Sequence, residues 1–91
     1  MSAYAYILEC ADGTLYCGWT TDLGRRVEAH NAGIGARYTR GRRPVRLVYW
    51  EAQPGRGAAQ RREAALRRLS RAAKLRLIDE WTYREPPDVP S

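Results

Sequence analysis

The feature that most constrains the fold is a strong chain reversal between two apolar segments near the N-terminus. Residues 4–10 are mostly aromatic and aliphatic and predict a buried strand. Asp12-Gly13 follows, a pair typical of tight turns between antiparallel strands. Residues 15–19 then predict the returning strand, in which Gly18 indicates a bulge or a close backbone approach. The fold is therefore expected to begin with a β-hairpin.

The remaining pattern predicts one more strand and three helices. Thr20, Thr21 and Asp22 can cap a first helix, and Ser70 can cap a last one, in which Ala72, Leu75, Ile78 and Trp81 are expected to face inward. The predicted segments are a helix over 23–31, a basic loop over 33–44, a strand over 45–51, and helices over 58–69 and 71–81. The order β-β-α-β-α-α predicts an α+β fold, with a small three-stranded, mostly antiparallel sheet flanked by helices.

Length and composition indicate one small globular domain. The 91 residues predict a domain over 1–82 and a disordered Pro-rich tail over 83–91. The chain has no apolar run of about 18 residues and no basic segment ahead of an apolar one, so we expect no membrane association and a cytoplasmic location. Cys10 and Cys17 are expected to be free, partly buried thiols, since two cysteines make neither a disulfide framework nor a metal cluster.

The net charge of +6 points towards a polyanionic partner. Of the 16 basic residues only Lys74 is not arginine, and residues 1–20 contain no basic residue at all, so the positive charge lies further along the chain. The guanidinium group is suited to phosphate, and a basic surface speeds encounter with nucleic acid. On charge alone, a merely solvated basic surface is the alternative.

Five residues are candidates for chemistry. Tyr6 and Tyr16 are expected to face each other across the hairpin, and Arg26 and His30, four positions apart, share one face of the first helix. Glu63 lies at the rim of the apolar stripe of its helix and is a candidate metal ligand or general base.

Each candidate also has a purely structural interpretation. Tyrosines in strands often pack as amphipathic side chains, and Arg26 can be a solvated helix charge. His30 can be a C-terminal helix residue favoured by the dipole, and Glu63 can pair with Arg67 at position i+4.

The combination resembles the GIY-YIG nucleases. The pair of motifs is carried by Tyr4-Ala5-Tyr6 and, after nine residues, Tyr16-Cys17-Gly18, and the segment through Arg26 to His30-Asn31 is similar to the family's arginine and histidine positions. The spacing from Tyr16 favours Arg26 over Arg25 as the family's catalytic arginine. Segments 35–40 and 60–63 resemble small stand-alone bacterial members. Tyr4 and Cys17 replace a glycine and an isoleucine of the motif names, and Trp19 stands where some repair nucleases have a lysine.

The resemblance implies a metal-dependent phosphodiesterase, an endonuclease that hydrolyses DNA. It implies that Glu63 holds a single Mg²⁺ or Mn²⁺ ion and that Arg26 holds the scissile phosphate. Tyr6 or Tyr16 would position or deprotonate the attacking water, with His30 orienting a tyrosine or sharing the proton transfer. The sequence leaves open which tyrosine acts as base.

The basic loop is a candidate DNA-binding segment. The residues expected to meet phosphates or stack on a base are Arg25, Arg37, Tyr38, Arg40, Arg42 and Arg43. A domain this small leaves no separate recognition domain, so we expect selectivity for DNA structure rather than sequence, in repair or recombination, or a protein partner that supplies specificity. The alternatives are a non-catalytic or weakly catalytic nucleic-acid-binding module and a basic structural protein of the ribosome or nucleoid.

Overall fold

The computed structural model describes residues 2–81 and confirms the α+β prediction. Its elements in chain order are β1 (Ala3–Glu9), β2 (Leu15–Thr20), α1 (Leu23–Asn31), α2 (Arg37–Arg40), β3 (Arg46–Gln53), α3 (Arg56–Arg68) and α4 (Arg71–Glu80). The short helix α2 lies where the sequence predicted only a loop. The predicted tail, 83–91, lies outside the described residues. Within residues 2–81, no helix is both long enough and apolar enough to cross a bilayer.

The sheet has the strand order β2-β1-β3, and both strand pairs are antiparallel. The central strand β1 is buried on both faces, which explains its nearly uninterrupted apolar sequence. Because side chains alternate along a strand, Tyr4, Tyr6 and Leu8 lie on one face and Ala5 and Ile7 on the other.

Helices cover the two faces separately. Leu23 of α1 packs against the face that carries Tyr6, whereas Leu66 of α3 packs against the face that carries Ile7. The cysteines divide in the same way, since buried Cys10 joins the first cluster and buried Cys17 the second. The sheet is therefore the middle layer between α1 and α3.

Helix α4 packs differently from the prediction. Leu77, Ile78 and Trp81 contact the second cluster, but Ala72 and Leu75, which were expected to face inward, are exposed. The prediction was wrong for these two residues because α4 turns Leu77 and Ile78 toward the core, and at about 100° per residue Ala72 and Leu75 lie on the other side of the helix.

Two helices begin at the predicted caps. A side-chain oxygen of Asp22 accepts a hydrogen bond of 3.1 Å from the backbone N–H of Arg25, and the Ser70 hydroxyl oxygen accepts one of 3.1 Å from that of Ala73. The cap at Asp22 fixes the start of α1 and with it the positions of the arginine and histidine that this helix carries.

Candidate active site

The side chain of Tyr6 on β1 passes over the neighbouring strand β2 at Gly18. The register places Tyr6 directly opposite Gly18 and Tyr16 opposite Leu8, so the two tyrosines share a face without facing each other as expected. A Cβ atom at position 18 would lie 2.5 Å from the Tyr6 hydroxyl oxygen and 2.6 Å from Cζ. Gly18 is therefore required by a crossing aromatic side chain, and the close approach that the sequence indicated is to a side chain rather than to backbone.

His30 is completely buried and links three elements. Its Nε2 atom lies 3.0 Å from the Tyr6 hydroxyl on β1, and its Nδ1 atom lies 2.8 Å from the Thr39 hydroxyl on α2. The Thr39 hydroxyl also donates to the carbonyl oxygen of Ala36 at 3.1 Å. Because a hydroxyl has one hydrogen to donate, this arrangement assigns the ring proton to Nδ1, and Nε2 accepts from Tyr6.

Burial determines the protonation states of both rings. It lowers the pKa of His30 to about 4, with the positive charge of Arg26 acting in the same direction. Burial also raises the pKa of Tyr6 to about 12, although the adjacent Arg26 guanidinium opposes the rise. Near neutral pH, His30 is therefore uncharged and Tyr6 keeps its proton.

Arg26 lies beside Tyr6 with an unused donor. One of its terminal nitrogens, Nη2, donates to the carbonyl oxygen of Gly35 at 3.1 Å, while its Nε atom is buried and has no hydrogen-bond partner among residues 2–81. A buried charged donor without an acceptor is unusual and is suited to binding an oxyanion. The side chain of Arg25, the other candidate, is exposed.

Tyr16 occupies the half-exposed side of the cluster. Its ring centroid lies 5.3 Å from that of His30 and 5.6 Å from that of Tyr38, on which it stacks. The guanidinium of Arg42 lies over the Tyr38 ring, 4.1 Å from the centroid. Within residues 2–81 the Tyr16 hydroxyl makes no hydrogen bond, in contrast to the hydroxyl of Tyr6.

Glu63 is the acidic member of the site. Its side chain is only 14% exposed, and its Oε1 atom accepts a hydrogen bond of 2.6 Å from Arg67, one turn along α3. The i+4 ion pair that was the structural alternative for Glu63 is therefore present. The negative charge of Glu63 nevertheless reaches the active-site cluster, since it contributes to raising the pKa values of Tyr6 and Cys17.

The donor set fits one hard divalent cation that retains most of its water. Among residues 2–81, no three His, Cys, Asp or Glu side chains converge, so an all-protein metal cage is not formed there. Glu63 has one oxygen bonded to Arg67, and that arginine is 62% exposed and free to turn away. Ions such as Mg²⁺ are commonly held by one or two carboxylates, with water and substrate oxygens completing the shell.

The arginines predicted to bind DNA differ in whether their side chains already have bonding partners in the protein. Arg42 bonds to Asp12 at 3.1 Å and to the carbonyl oxygen of Tyr38 at 2.7 Å, and Arg43 bonds to the carbonyl oxygen of Arg40 at 2.8 Å. By contrast, the side chains of Arg25, Arg37 and Arg40 are exposed and form no ion pair within the described part of the chain.

A shallow groove adjoins the same loop. It has a volume of about 490 Å³ and is lined by Asn31, Arg40, Gly41, Arg43 and Pro44. The groove brings together Arg40 and Arg43, two of the arginines that the sequence singled out.

Thr39 and Gly35 also belong to this cluster and were not predicted from the sequence. Thr39 is fully buried and fixes the His30 ring, and a Cβ at Gly35 would lie 2.5 Å from His30 Nδ1. The available signal was an uncharged Thr39 inside the basic stretch 37–43, which is consistent with a side chain turned inward.

Three features occur together in this fold. Two strands present a pair of tyrosines, one helix carries Arg26 and His30, and another helix carries Glu63. This combination defines a GIY-YIG domain. The chain belongs to that nuclease family, because the GIY-YIG catalytic domain model matches its residues 2–76.

Similar proteins occur in bacteria and archaea. A UPF0213 protein of Clostridium perfringens is 50% identical over 82 residues, covering 90% of this chain and 88% of that protein. One of Halobacterium salinarum is 54% identical over 75 residues, covering 82% and 97%. The solution NMR structure of a UPF0213 protein of Bacillus halodurans aligns with a TM-score of 0.55 at 49% identity, over 87% of this chain and 84% of that one.

Proposed function

We propose that this chain is a metal-dependent endonuclease that hydrolyses phosphodiester bonds in DNA. We further propose that it selects branched or damaged DNA by structure rather than by sequence, in repair or recombination. The observation that carries the proposal is the buried, unpartnered Nε of Arg26 beside the Tyr6–His30 pair. A guanidinium held in this way offers charge-assisted hydrogen bonds to the non-bridging oxygens of a phosphodiester.

Tyr16 is the tyrosine best placed to meet a water molecule. It is half-buried and its hydroxyl has no partner within residues 2–81, whereas Tyr6 is 1% exposed and its hydroxyl donates a hydrogen bond to His30. We therefore assign to Tyr16 the role of orienting the attacking water through its hydroxyl oxygen. Tyr6 and His30 are buried below Tyr16, and we assign to them the role of holding Arg26 in position.

Glu63 would hold the divalent cation. When bound, Mg²⁺ or Mn²⁺ supplies Lewis acidity and stabilises negative charge on the phosphate and leaving oxygen. Arg67 would have to release Oε1 of Glu63 before both carboxylate oxygens could face the ion, and its own side chain, 62% exposed, has solvent to turn into.

The test is cleavage of matched DNA substrates. Flap, fork, single-stranded and plain duplex DNA are incubated with the protein and either Mg²⁺ or Mn²⁺, and products are resolved on denaturing gels. We expect cleavage of branched substrates, no cleavage in EDTA, and a loss of at least about 100-fold in Glu63→Ala and Arg26→Ala. The matched controls are Glu80→Ala and Arg76→Ala, which change exposed residues of α4. Cleavage that survives unchanged in Glu63→Ala and Arg26→Ala would contradict the assigned site.

The Glu63–Arg67 ion pair favours a second candidate, a nucleic-acid-binding module without catalysis, because the pair neutralises the metal-binding carboxylate. The two functions differ in the behaviour of Arg67→Ala. An endonuclease gains metal affinity in this variant and still cuts, while a binding module binds DNA in a salt-dependent manner and cuts none of the four substrates with either ion.

A further inference from the structure

Ile34 is the most exposed large hydrophobic residue in the described part of the chain. It is 77% exposed, compared with 41% for Leu75 and 40% for Tyr38. A single exposed aliphatic residue is ordinary in a folded protein. The position of Ile34 is not ordinary, because it lies between two glycines in the loop that joins α1 to α2.

The backbone around Ile34 is fixed. Its N–H donates to the carbonyl oxygen of Ala29 at 3.0 Å, and the N–H of Gly33 donates to that of His30 at 3.1 Å, so the loop continues the hydrogen bonding of α1. Gly33 has φ +84°, which favours glycine. The exposure of Ile34 is thus a consequence of an ordered turn and not of a frayed one.

Neither flanking glycine has room for a side chain, because Arg43 lies against one and His30 against the other. A Cβ at Gly33 would lie 2.8 Å from Nη1 of Arg43, and a Cβ at Gly35 would lie 2.5 Å from Nδ1 of His30. The carbonyl oxygen of Gly35 accepts the hydrogen bond from Arg26. Ile34 therefore stands between the arginine of the candidate active site and the arginine-lined groove.

An apolar side chain between two cationic sites matches the chemistry of a nucleotide chain, in which apolar base faces lie between phosphates. In an intact duplex these faces are stacked, and opening one step to admit an aliphatic wedge costs a few kcal/mol. At a fork, flap or mismatch, a base face is already exposed and that cost is reduced.

We propose that Ile34 is a wedge that packs on the unstacked face of a nucleobase next to the cleaved phosphate. A phosphate of the same strand then lies in the groove between Arg40 and Arg43. This inference rests on the proposed function and specifies its substrate class as DNA with an unpaired or weakly stacked nucleotide beside the cleavage position. Ile34 is accordingly a specificity-determining residue rather than a catalytic one.

The test measures binding without cleavage. A fork and a plain duplex of the same sequence carry 2-aminopurine at the branch position. The fluorescence of this base rises when it unstacks. Both DNAs are titrated with protein in EDTA. The proteins are the unaltered chain, Ile34→Ser, Ile34→Leu and the control Leu75→Ser, which removes an exposed leucine of α4. We expect Ile34→Ser to lose about tenfold in affinity for the fork together with the fluorescence rise, as expected for one lost aliphatic contact. Its affinity for duplex should be unchanged, and Ile34→Leu should restore both signals.

Three results would overturn the proposal. The first is an unchanged preference for the fork in Ile34→Ser, and the second is an equal loss of fork affinity in Leu75→Ser. The third is a change from dimer to monomer in Ile34→Ser, measured by sedimentation, which would assign the residue to self-association. If cleavage depends on Glu63 and Arg26 while Ile34→Ser behaves normally, only the wedge fails. If the protein binds no DNA at low salt, the proposed function fails with it.

Discussion

His30 has both ring nitrogens occupied in a site without solvent contact. Tyr6 donates to Nε2, and Nδ1 donates to a threonine whose own hydrogen is used by Ala36. A ring held from both sides keeps one tautomer, and this tautomer is the one whose Nε2 accepts a hydrogen bond from the tyrosine hydroxyl. The tautomer of His30 is thus determined by Thr39, a residue that has no place in the motifs.

We expect Thr39→Val to destabilise the protein by about 1–3 kcal/mol, because valine keeps the shape but leaves the Nδ1–H of His30 buried without an acceptor. The measurement is urea unfolding. Thr39→Ser, which keeps the hydroxyl, is the matched control and should retain most of the stability.

The same substitution tests the tautomer. Long-range ¹H–¹⁵N spectra of the imidazole should show Nδ1 protonated in the unaltered protein and a change in that pattern in Thr39→Val. A spectrum with the proton on Nε2 in the unaltered protein would contradict the assigned hydrogen-bond directions.

Stability should depend on pH through His30. Its pKa is 6.5 in the unfolded chain and about 4 in the folded protein, so between these values the unfolded state binds a proton that the folded state does not. The stability contribution is therefore complete above pH 6.5 and is lost as the pH falls towards 4, by about 3 kcal/mol in all.

The measurement is the free energy of unfolding in urea from pH 7 to pH 4. His30→Gln removes the titrating group and leaves every carboxylate, so the difference between the two proteins isolates the histidine. Parallel stability curves over this range would show that His30 titrates normally.

At the level of single residues, part of the candidate site could be predicted from the sequence. Tyr6, Arg26 and His30 lie close together as the motif spacing predicted, because spacing along one helix and one hairpin survives as local geometry. The choice of Arg26 over Arg25 as the catalytic arginine stays a prediction. Thr39 was missed because its bond to His30 joins residues nine positions apart through the fold of the α1–α2 loop. Glu63 illustrates a mixed outcome, since the expected structural partner, Arg67, is present and the charge still reaches Tyr6.

At the scale of elements, the candidate site depends on how the Tyr6 side chain of β1 crosses the neighbouring strand β2 at Gly18. Tyr6 passes over the edge strand at the one position where no side chain blocks its ring, and its hydroxyl meets α1 from there. Any side chain at position 18 would push the Tyr6 ring away from His30, so the hairpin and the helix are connected through a glycine.

We expect Gly18→Ala to destabilise the protein by about 1–3 kcal/mol by overpacking and to reduce nuclease activity, because the added methyl group would lie 2.5 Å from the Tyr6 hydroxyl oxygen. Urea unfolding and cleavage assays give the two effects. The control is Gly41→Ala, at φ −92° with no atom within 4 Å of the new Cβ, which should leave stability unchanged or slightly raised. Equal effects of the two substitutions would contradict the crossing argument.

Elements were predicted well where local signals are strong and poorly where packing decides. The turn at Asp12-Gly13 and the caps Asp22 and Ser70 correctly located a hairpin and two helix starts. The four-residue helix α2 was missed because its sequence is dominated by arginine and its only buried residue is Thr39. Leu75 was misplaced because several faces of α4 are about equally apolar, so its sequence does not specify its rotation.

At the scale of the whole molecule, size limits what the protein can recognise. The longest dimension is 32 Å, slightly less than one turn of B-DNA. A surface of this length reaches only a few phosphates on either side of the active site. For the proposed endonuclease we therefore expect this domain to gain affinity mainly from charge and selectivity from the shape of the DNA at that point.

The free arginines of α2 should set the salt dependence of DNA binding. Arg37 and Arg40 are exposed and lie on the side of the sheet that carries Tyr16, whereas Arg76 of α4 lies on the other side. Each phosphate contact contributes about 0.9 to the slope of log affinity against log salt. We expect Arg37→Ala and Arg40→Ala each to reduce that slope by about 1 and to weaken fork and duplex binding equally, since phosphate contacts carry no structural preference.

The measurement is fluorescence anisotropy in EDTA at several salt concentrations, with Arg76→Ala as the control that should leave the slope unchanged. Arg42→Ala separates charge from position, because Arg42 is tethered to Asp12 and to the carbonyl oxygen of Tyr38. It should alter the slope less than Arg40→Ala does. If Arg76→Ala lowered the slope as much as Arg37→Ala, DNA would contact the α4 side of the sheet, and the α2 surface would not be the binding face.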